Sequence, residues 1–176
     1  MKNGKIKLRR LENTNSDYKH LEKWYQEEEI YSHFEQRKLT LEEIKSKYLP
    51  RTMINASVPV FMIEYEDKPI GIIQYQLIND ENKKLYGLKE ENSYEIDIFI
   101  GELNLHNNGI GKNSINLMSN YLFKEKNAKV LIMCPLKDNY NAINCYKSCG
   151  FTIKKEFETE DTIGANQVFA LMIKEQ

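Results

Sequence analysis

The chain has 176 residues, enough for one domain with a sizeable core. Its 25 Lys and Arg against 26 Asp and Glu give a formal net charge of −1. That balance excludes the basic excess expected where nucleic acid is the main partner.

The opening "MKNGKIKLRR" has no apolar signal core, and no run approaches the ~20 apolar residues of a membrane helix. The three cysteines form an odd set without zinc spacing. Cys145 and Cys149 stand four apart, but no second ligand pair accompanies them, so no metal is expected. The expectation is a single cytoplasmic domain over residues 1–176, with no nucleic-acid or membrane partner.

In chain order, "KIKLRRL" alternates like a first strand. "ENTNS" caps a helix over residues 17–28, with Leu21, Trp24 and Tyr25 at helical spacing. "LTLEEIKSKYL" predicts a second helix, opened by a Thr40–Glu43 capping box and ended by Pro50. "VPVFMIEY", the turn "EDK" and "PIGIIQYQLI" predict a β-hairpin. "NDENKKLYGLKEEN" is polar and reads as a loop. "SYEIDIFIG" is a strand, followed by "LHNNGIGK" and a helix reaching Lys126. "AKVLIMC" reads as a buried strand and "KDNYNAINCYKSC" as a helix stopped by Gly150. "FTIKKEFE" and "NQVFALMIK" close the chain as strands. The pattern is α/β (α+β), with a mixed, mostly antiparallel central sheet flanked by helices and strand–helix–strand units after residue 93.

Gly109 and Gly111 stand where a helix is about to begin, although each glycine costs about 1 kcal/mol of helix stability against alanine. A P-loop is excluded, because His106 and Asn113 occupy its first glycine and its Ser/Thr position. A dinucleotide fingerprint lacks its third glycine, since Ser114 stands there. A simpler design remains. Consecutive backbone N–H groups wrap a pyrophosphate and lead into a helix N-terminus, with Lys112 adding charge. On the glycines alone, a ligand-free helix entry is an equal alternative.

Further on stands "NYNAINCYKSCGF". With "HNNGIGK" and the preceding strand, it resembles the GCN5-related N-acetyltransferase (GNAT) family. That family has a Gln/Arg-x-x-Gly-x-Gly/Ala loop and a later Asn-x-x-Ala-x-x-x-Tyr-x-x-x-Gly-Phe pattern. Gly109 and Gly111 match the first, with His106 in place of Gln or Arg. Asn139, Ala142, Tyr146, Gly150 and Phe151 match the second. The resemblance implies the GNAT fold and acetyl-CoA as co-substrate. It places Asn107, Asn108, Gly109, Ile110, Gly111, Lys112 and Asn113 around the pyrophosphate. The strand end at Ile98, Phe99 and Ile100 joins the cofactor-binding set, and Asn139 contacts the pantetheine arm.

"WYQEEEIYSHF", "VFMIEYEDKPIGIIQYQ", "IDIFIGE" and "NNGIGK" together are similar to the aminoglycoside 6′-N-acetyltransferases. This implies a small cationic amine as acceptor and antibiotic resistance as a role; the expected assembly is a monomer or homodimer. It puts Asp97 near the acceptor, Tyr146 near the thioester sulfur, and Trp24 and Gln74 in the acceptor pocket. Cys134 stands before Pro135 where those enzymes tend to carry Asp, which removes one anion from the expected acceptor site. Two alternatives stay open: another amine (a protein N-terminus, a polyamine, a siderophore precursor), or a non-catalytic acyl-CoA-binding module.

Amide formation from a thioester needs a neutral amine, a stabilised oxyanion and a proton for the leaving thiolate. Period-two alternation puts Ser93, Glu95, Asp97 and Phe99 on one strand face. Asp97 is expected to take the acceptor's proton and Glu95 to attract its charge. A backbone N–H around Ile98 is the expected oxyanion donor, and Tyr146 the acid. The scattered histidines carry no assigned chemistry.

Overall fold

The computed structural model describes residues 1–161 and 163–176. Its strands are β1 (Lys2–Asn3), β2 (Ile6–Arg10), β3 (Val60–Tyr65), β4 (Lys68–Leu77), β5 (Ser93–Ile100), β6 (Val130–Met133), β7 (Thr152–Glu160) and β8 (Asn166–Glu175). Its helices are α1 (Asn15–Trp24), α2 (Glu28–Phe34), α3 (Leu41–Thr52), α4 (Asp80–Tyr86), α5 (Ile110–Glu125) and α6 (Tyr140–Ser148). The strands form one sheet in the order β1-β2-β3-β4-β5-β6-β8-β7. Every pairing is antiparallel except β5 with β6. This is the mixed, mostly antiparallel sheet expected from the sequence.

Helices cover both faces because β3, β4 and β5 send apolar side chains to each. One core gathers Phe61, Ile63, Ile73 and Ile96 under Ile110, Ile115, Met118 and Leu122 of α5 and Ile143 of α6. The opposite core packs Met62, Ile72 and Phe99 against Leu21, Trp24, Ile44 and Tyr48 of α1 and α3. Each fully buried aliphatic side chain contributes about 1.5–3 kcal/mol. Arg9 on β2 joins Asp17 of α1 through two 2.7 Å bonds and Glu64 of β3 through one of 2.6 Å, pinning the first helix to the sheet.

Three expectations are corrected. The helix predicted over residues 17–28 ends at Trp24, and a separate helix starts at Glu28. The capping box at Thr40 and Glu43 is present, but Pro50 lies inside α3, which continues to Thr52. Proline removes one late backbone bond, and the end is held instead by Thr52 Oγ1 on Leu49 O (2.8 Å) and Arg10 Nη2 on Arg51 O (3.0 Å). The stretch read as a loop after Ile78 contains α4. Asn79 caps it by accepting from Asn82 N–H (2.8 Å), and Gly87 ends it at φ +69°.

Candidate active site

The site begins with a sheet that opens. β6 pairs with β5 only at Ser93, Tyr94 and Glu95. Ile78 N–H donates to Ser93 O (2.9 Å) and Gly101 N–H to Ile70 O (2.7 Å). With the register between β4 and β5, these bonds turn the backbone groups of Ser93, Glu95, Asp97 and Phe99 toward β4. Those of Ile96, Ile98 and Ile100 therefore face the other way. Among the described residues no strand pairs with β5 on that side beyond Glu95, so Ile98 N–H points into the gap between the diverging strands.

A cavity of about 710 Å³ occupies this gap. Of the residues expected at the site, it brings together Asp97, Ile98, Phe99, Ile100, Asn107, Gly109, Ile110, Gly111, Lys112, Cys134, Asn139 and Tyr146. Glu29, Ile30, His33 and Phe34 of α2 form another wall. Trp24, Gln74, Glu95, Asn108 and Asn113 are not in the lining.

One end of the cavity is the glycine loop. Asn107 and Gly109 take positive φ (+61° and +73°), and α5 starts at Ile110. The first N–H groups of a helix have no intrahelical acceptor, so those of Ile110, Gly111 and Lys112 form an anion site beside the cavity. A Cβ on Gly109 would meet no protein atom within 4 Å, and one on Gly111 only Cys145 Sγ at 3.8 Å. Protein packing therefore does not demand a bare backbone at Gly111. A ligand approaching closely would, and the cradle fits a pyrophosphate. His106 ties the loop back to β5 through its ring nitrogen and Ile100 O (2.7 Å). Asn113 is exposed and its amide folds back on the helix start, donating to Gly109 O (3.1 Å), and Asn108 donates to His106 O (3.3 Å). Asn139 caps α6 by accepting from Ala142 N–H (3.1 Å) while lining the cavity.

The other end is acidic. Gln74 lies opposite Asp97, and Gln76 opposite Glu95, across β4 and β5. Each glutamine donates to its facing carboxylate, at 3.0 and 2.8 Å. Burial, then the charge of Asp97, pushes Glu95 up to about 7. Burial also raises Asp97, against the opposing effects of the Gln74 amide, Arg51 and Lys47. Lys47 is itself brought down to about 8, by burial first and Arg51 second. Burial, helped by Glu95, holds the Cys134 thiol well above its ordinary range, so it stays protonated. Tyr146 is likewise raised beyond the ordinary phenol range by burial, and at neutral pH it is a proton donor.

Trp24 belongs to the core. It is fully buried, donates Nε1–H to Glu102 (2.9 Å), and lies so close to Gly101 that a Cβ there would sit 2.2 Å from its ring. It presents no face to the cavity. Gln74 also stands behind the carboxylate it holds and does not line the cavity. The sequence does not mark Ile30, His33 and Phe34 in the wall from α2, Tyr86 of α4 beside Cys134, or Arg51 and Lys47 of α3. The capping residues Asn79 and Gly87 could have revealed α4. Nothing local marks Arg51.

A family model described as an acetyltransferase (GNAT) domain matches residues 13–159. Among solved structures, the chain is similar to aminoglycoside acetyltransferase AAC(6′)-Ib in complex with coenzyme A and kanamycin. That match has a TM-score of 0.79 at 20% identity, covering 97% of this chain and 95% of the other. It is also similar to the spermidine N-acetyltransferase from Vibrio cholerae in complex with coenzyme A and spermine, with a TM-score of 0.79 at 21% identity over 99% and 97%. A GNAT acetyltransferase from Bacillus anthracis gives 0.80 at 14% identity over 99% and 96%. At these identities the structures speak for the fold. The family model spans most of the chain, and the protein belongs to the GNAT family of N-acetyltransferases.

Proposed function

We propose that the chain transfers acetyl from acetyl-CoA directly to a small polycationic amine, with the 6′-amine of an aminoglycoside as the acceptor. The observation that carries this reading is the two-ended cavity. A helix N-terminus led by Gly109 and Gly111 lies at one end, and Asp97, backed by Glu95, lies at the other. The first end suits a pyrophosphate and the second an ammonium.

The roles follow from position. Ile110, Gly111 and Lys112 hold the phosphates through backbone N–H groups, and Asn139 contacts the pantetheine arm. Asp97 draws in the acceptor ammonium and removes its proton, with Glu95 adding to the attraction. Ile98 N–H, preorganised on the unpaired edge of β5, stabilises the oxyanion. Tyr146, whose phenol keeps its proton at neutral pH, gives that proton to the departing thiolate. Excluding water from the gap strengthens each of these interactions.

A polyamine is the second reading, favoured by Cys134, which supplies no third anion for an aminosugar. Initial rates of coenzyme A release with kanamycin, a 6′-hydroxyl aminoglycoside and spermidine separate the two. Turnover with kanamycin and little with the 6′-hydroxyl compound supports the aminoglycoside. Preference for spermidine overturns it. Acetyl-CoA binding without turnover on any amine would make the chain a binding module.

A further inference from the structure

Asp97 is approached from behind by a chain of donors that does not touch the cavity. Arg51 Nη1 donates to Gln74 Oε1 (2.7 Å), and Gln74 Nε2 donates to Asp97 Oδ2 (3.0 Å). Among the described residues Oδ1 has no hydrogen bond, and Asp97 lines the cavity. We propose that Arg51 is a positioning residue, fixing the Gln74 amide so that its N–H always meets Asp97 and the second carboxylate oxygen stays free for the acceptor amine. The inference rests on the reading that Asp97 takes the acceptor's proton.

The Arg51 guanidinium decides which way round the Gln74 amide sits. It has five donors and no acceptor, so it can donate only to the carbonyl end of Gln74. Without Arg51 the amide could turn over whenever Asp97 is protonated, and its carbonyl would then accept from the carboxylic O–H. That bond would stabilise the neutral acid, the form that takes no proton. With Arg51 in place the turned amide would set NH₂ against guanidinium, so the neutral acid gains no such partner.

Arg51 is also held ready for this. Its guanidinium lies 5.2 Å from the Tyr48 ring centroid, and Arg10 clamps its carbonyl at 3.0 Å. The other groups facing Asp97 are Glu95 on its own strand, Lys47 and Tyr48 of α3, and Tyr25 at the end of α1. Tyr86 of α4, Cys134 after β6 and Tyr146 of α6 complete the set. Of these, Lys47 alone is cationic, and it approaches as charge without a bond to Gln74.

The test follows the Asp97 carboxyl directly by ¹³C NMR titration, assigned by its loss in Asp97→Asn. Arg51→Met keeps the stem on Tyr48 and removes the donor, and an unchanged acetyl-CoA affinity certifies the fold. The Asp97 titration should move up by about one pH unit. The acidic limb of kcat/KM for the amine should follow it, with about a tenfold loss below neutral pH. In a Gln74→Leu background, Arg51→Met should then move the titration clearly less, leaving only the direct effect of the Arg51 charge.

An unmoved titration in Arg51→Met overturns the proposal. An equal shift in the Gln74→Leu background also overturns it, because Arg51 would be acting by charge through space. If the titration moves as expected while Asp97→Asn transfers acetyl undiminished, the positioning stands and the functional reading falls.

Discussion

Glu95→Gln should stabilise the protein at alkaline pH and leave it nearly unchanged in acid. Glu95 is 8% exposed, and burial with the neighbouring charge of Asp97 pushes it from an ordinary 4.5 up to about 7. The folded state thus holds this proton more tightly than the unfolded chain. Its contribution is complete below about pH 4.5 and is lost as pH rises through about 7. That displacement corresponds to about 3 kcal/mol, an upper bound because part of it belongs to the coupling with Asp97. A glutamine does not titrate, and its carbonyl still accepts the Gln76 bond (2.8 Å). Urea denaturation at about pH 5 and about pH 9 should show the variant's advantage growing with pH, toward that bound. A variant equally or less stable at pH 9 would refute the reasoning. It would mean that solvent or a neighbour neutralises Glu95.

Gly109→Val should weaken coenzyme A binding at least tenfold, since a β-branched residue is strained at φ +73° and would disturb the loop proposed to hold the pyrophosphate; titration calorimetry with dephosphorylated pantetheine as control should show little change for the control. Tyr146→Phe should lower kcat about 10²-fold with acetyl-CoA affinity intact, measured where chemistry limits the rate. Gly101→Ala should cost about 1–3 kcal/mol in denaturant unfolding, because its Cβ would land 2.2 Å from the buried Trp24 ring.

Much of this architecture was legible because local chemistry agreed with the tertiary outcome. The alternation in "SYEIDIFIG" put Asp97 and Glu95 on one face, and the structure keeps them there beside Phe99. Gly150 stops α6 at φ +89°, as a glycine after a helix should. Where the reading failed, longer-range packing decided. Trp24 had helical spacing with Leu21, a pattern that serves core and ligand platform alike, and the bare Gly101 opposite settled it as core. α4 was hidden by its polarity, because only Tyr86 is buried and its caps had to be weighed without an apolar stripe. Pro50 was read as a stop, yet α3 runs on because Arg10 reaches from β2 to hold its end. Arg51 was invisible because its partner Gln74 is brought to it by the sheet.

The central claim is that Asp97 takes the proton of the acceptor amine, and the most direct measurement is kcat/KM for kanamycin against pH in the wild-type and Asp97→Asn proteins. Asn is nearly isosteric and still accepts from Gln74, so acetyl-CoA binding should survive. The wild type should exceed the variant by about 10²–10³-fold near pH 6.5, the range expected for losing a general base. The ratio should shrink toward about tenfold by pH 9, as more acceptor arrives already deprotonated. A ratio near one across the whole range would contradict the account and make Asp97 a bystander in the cavity wall.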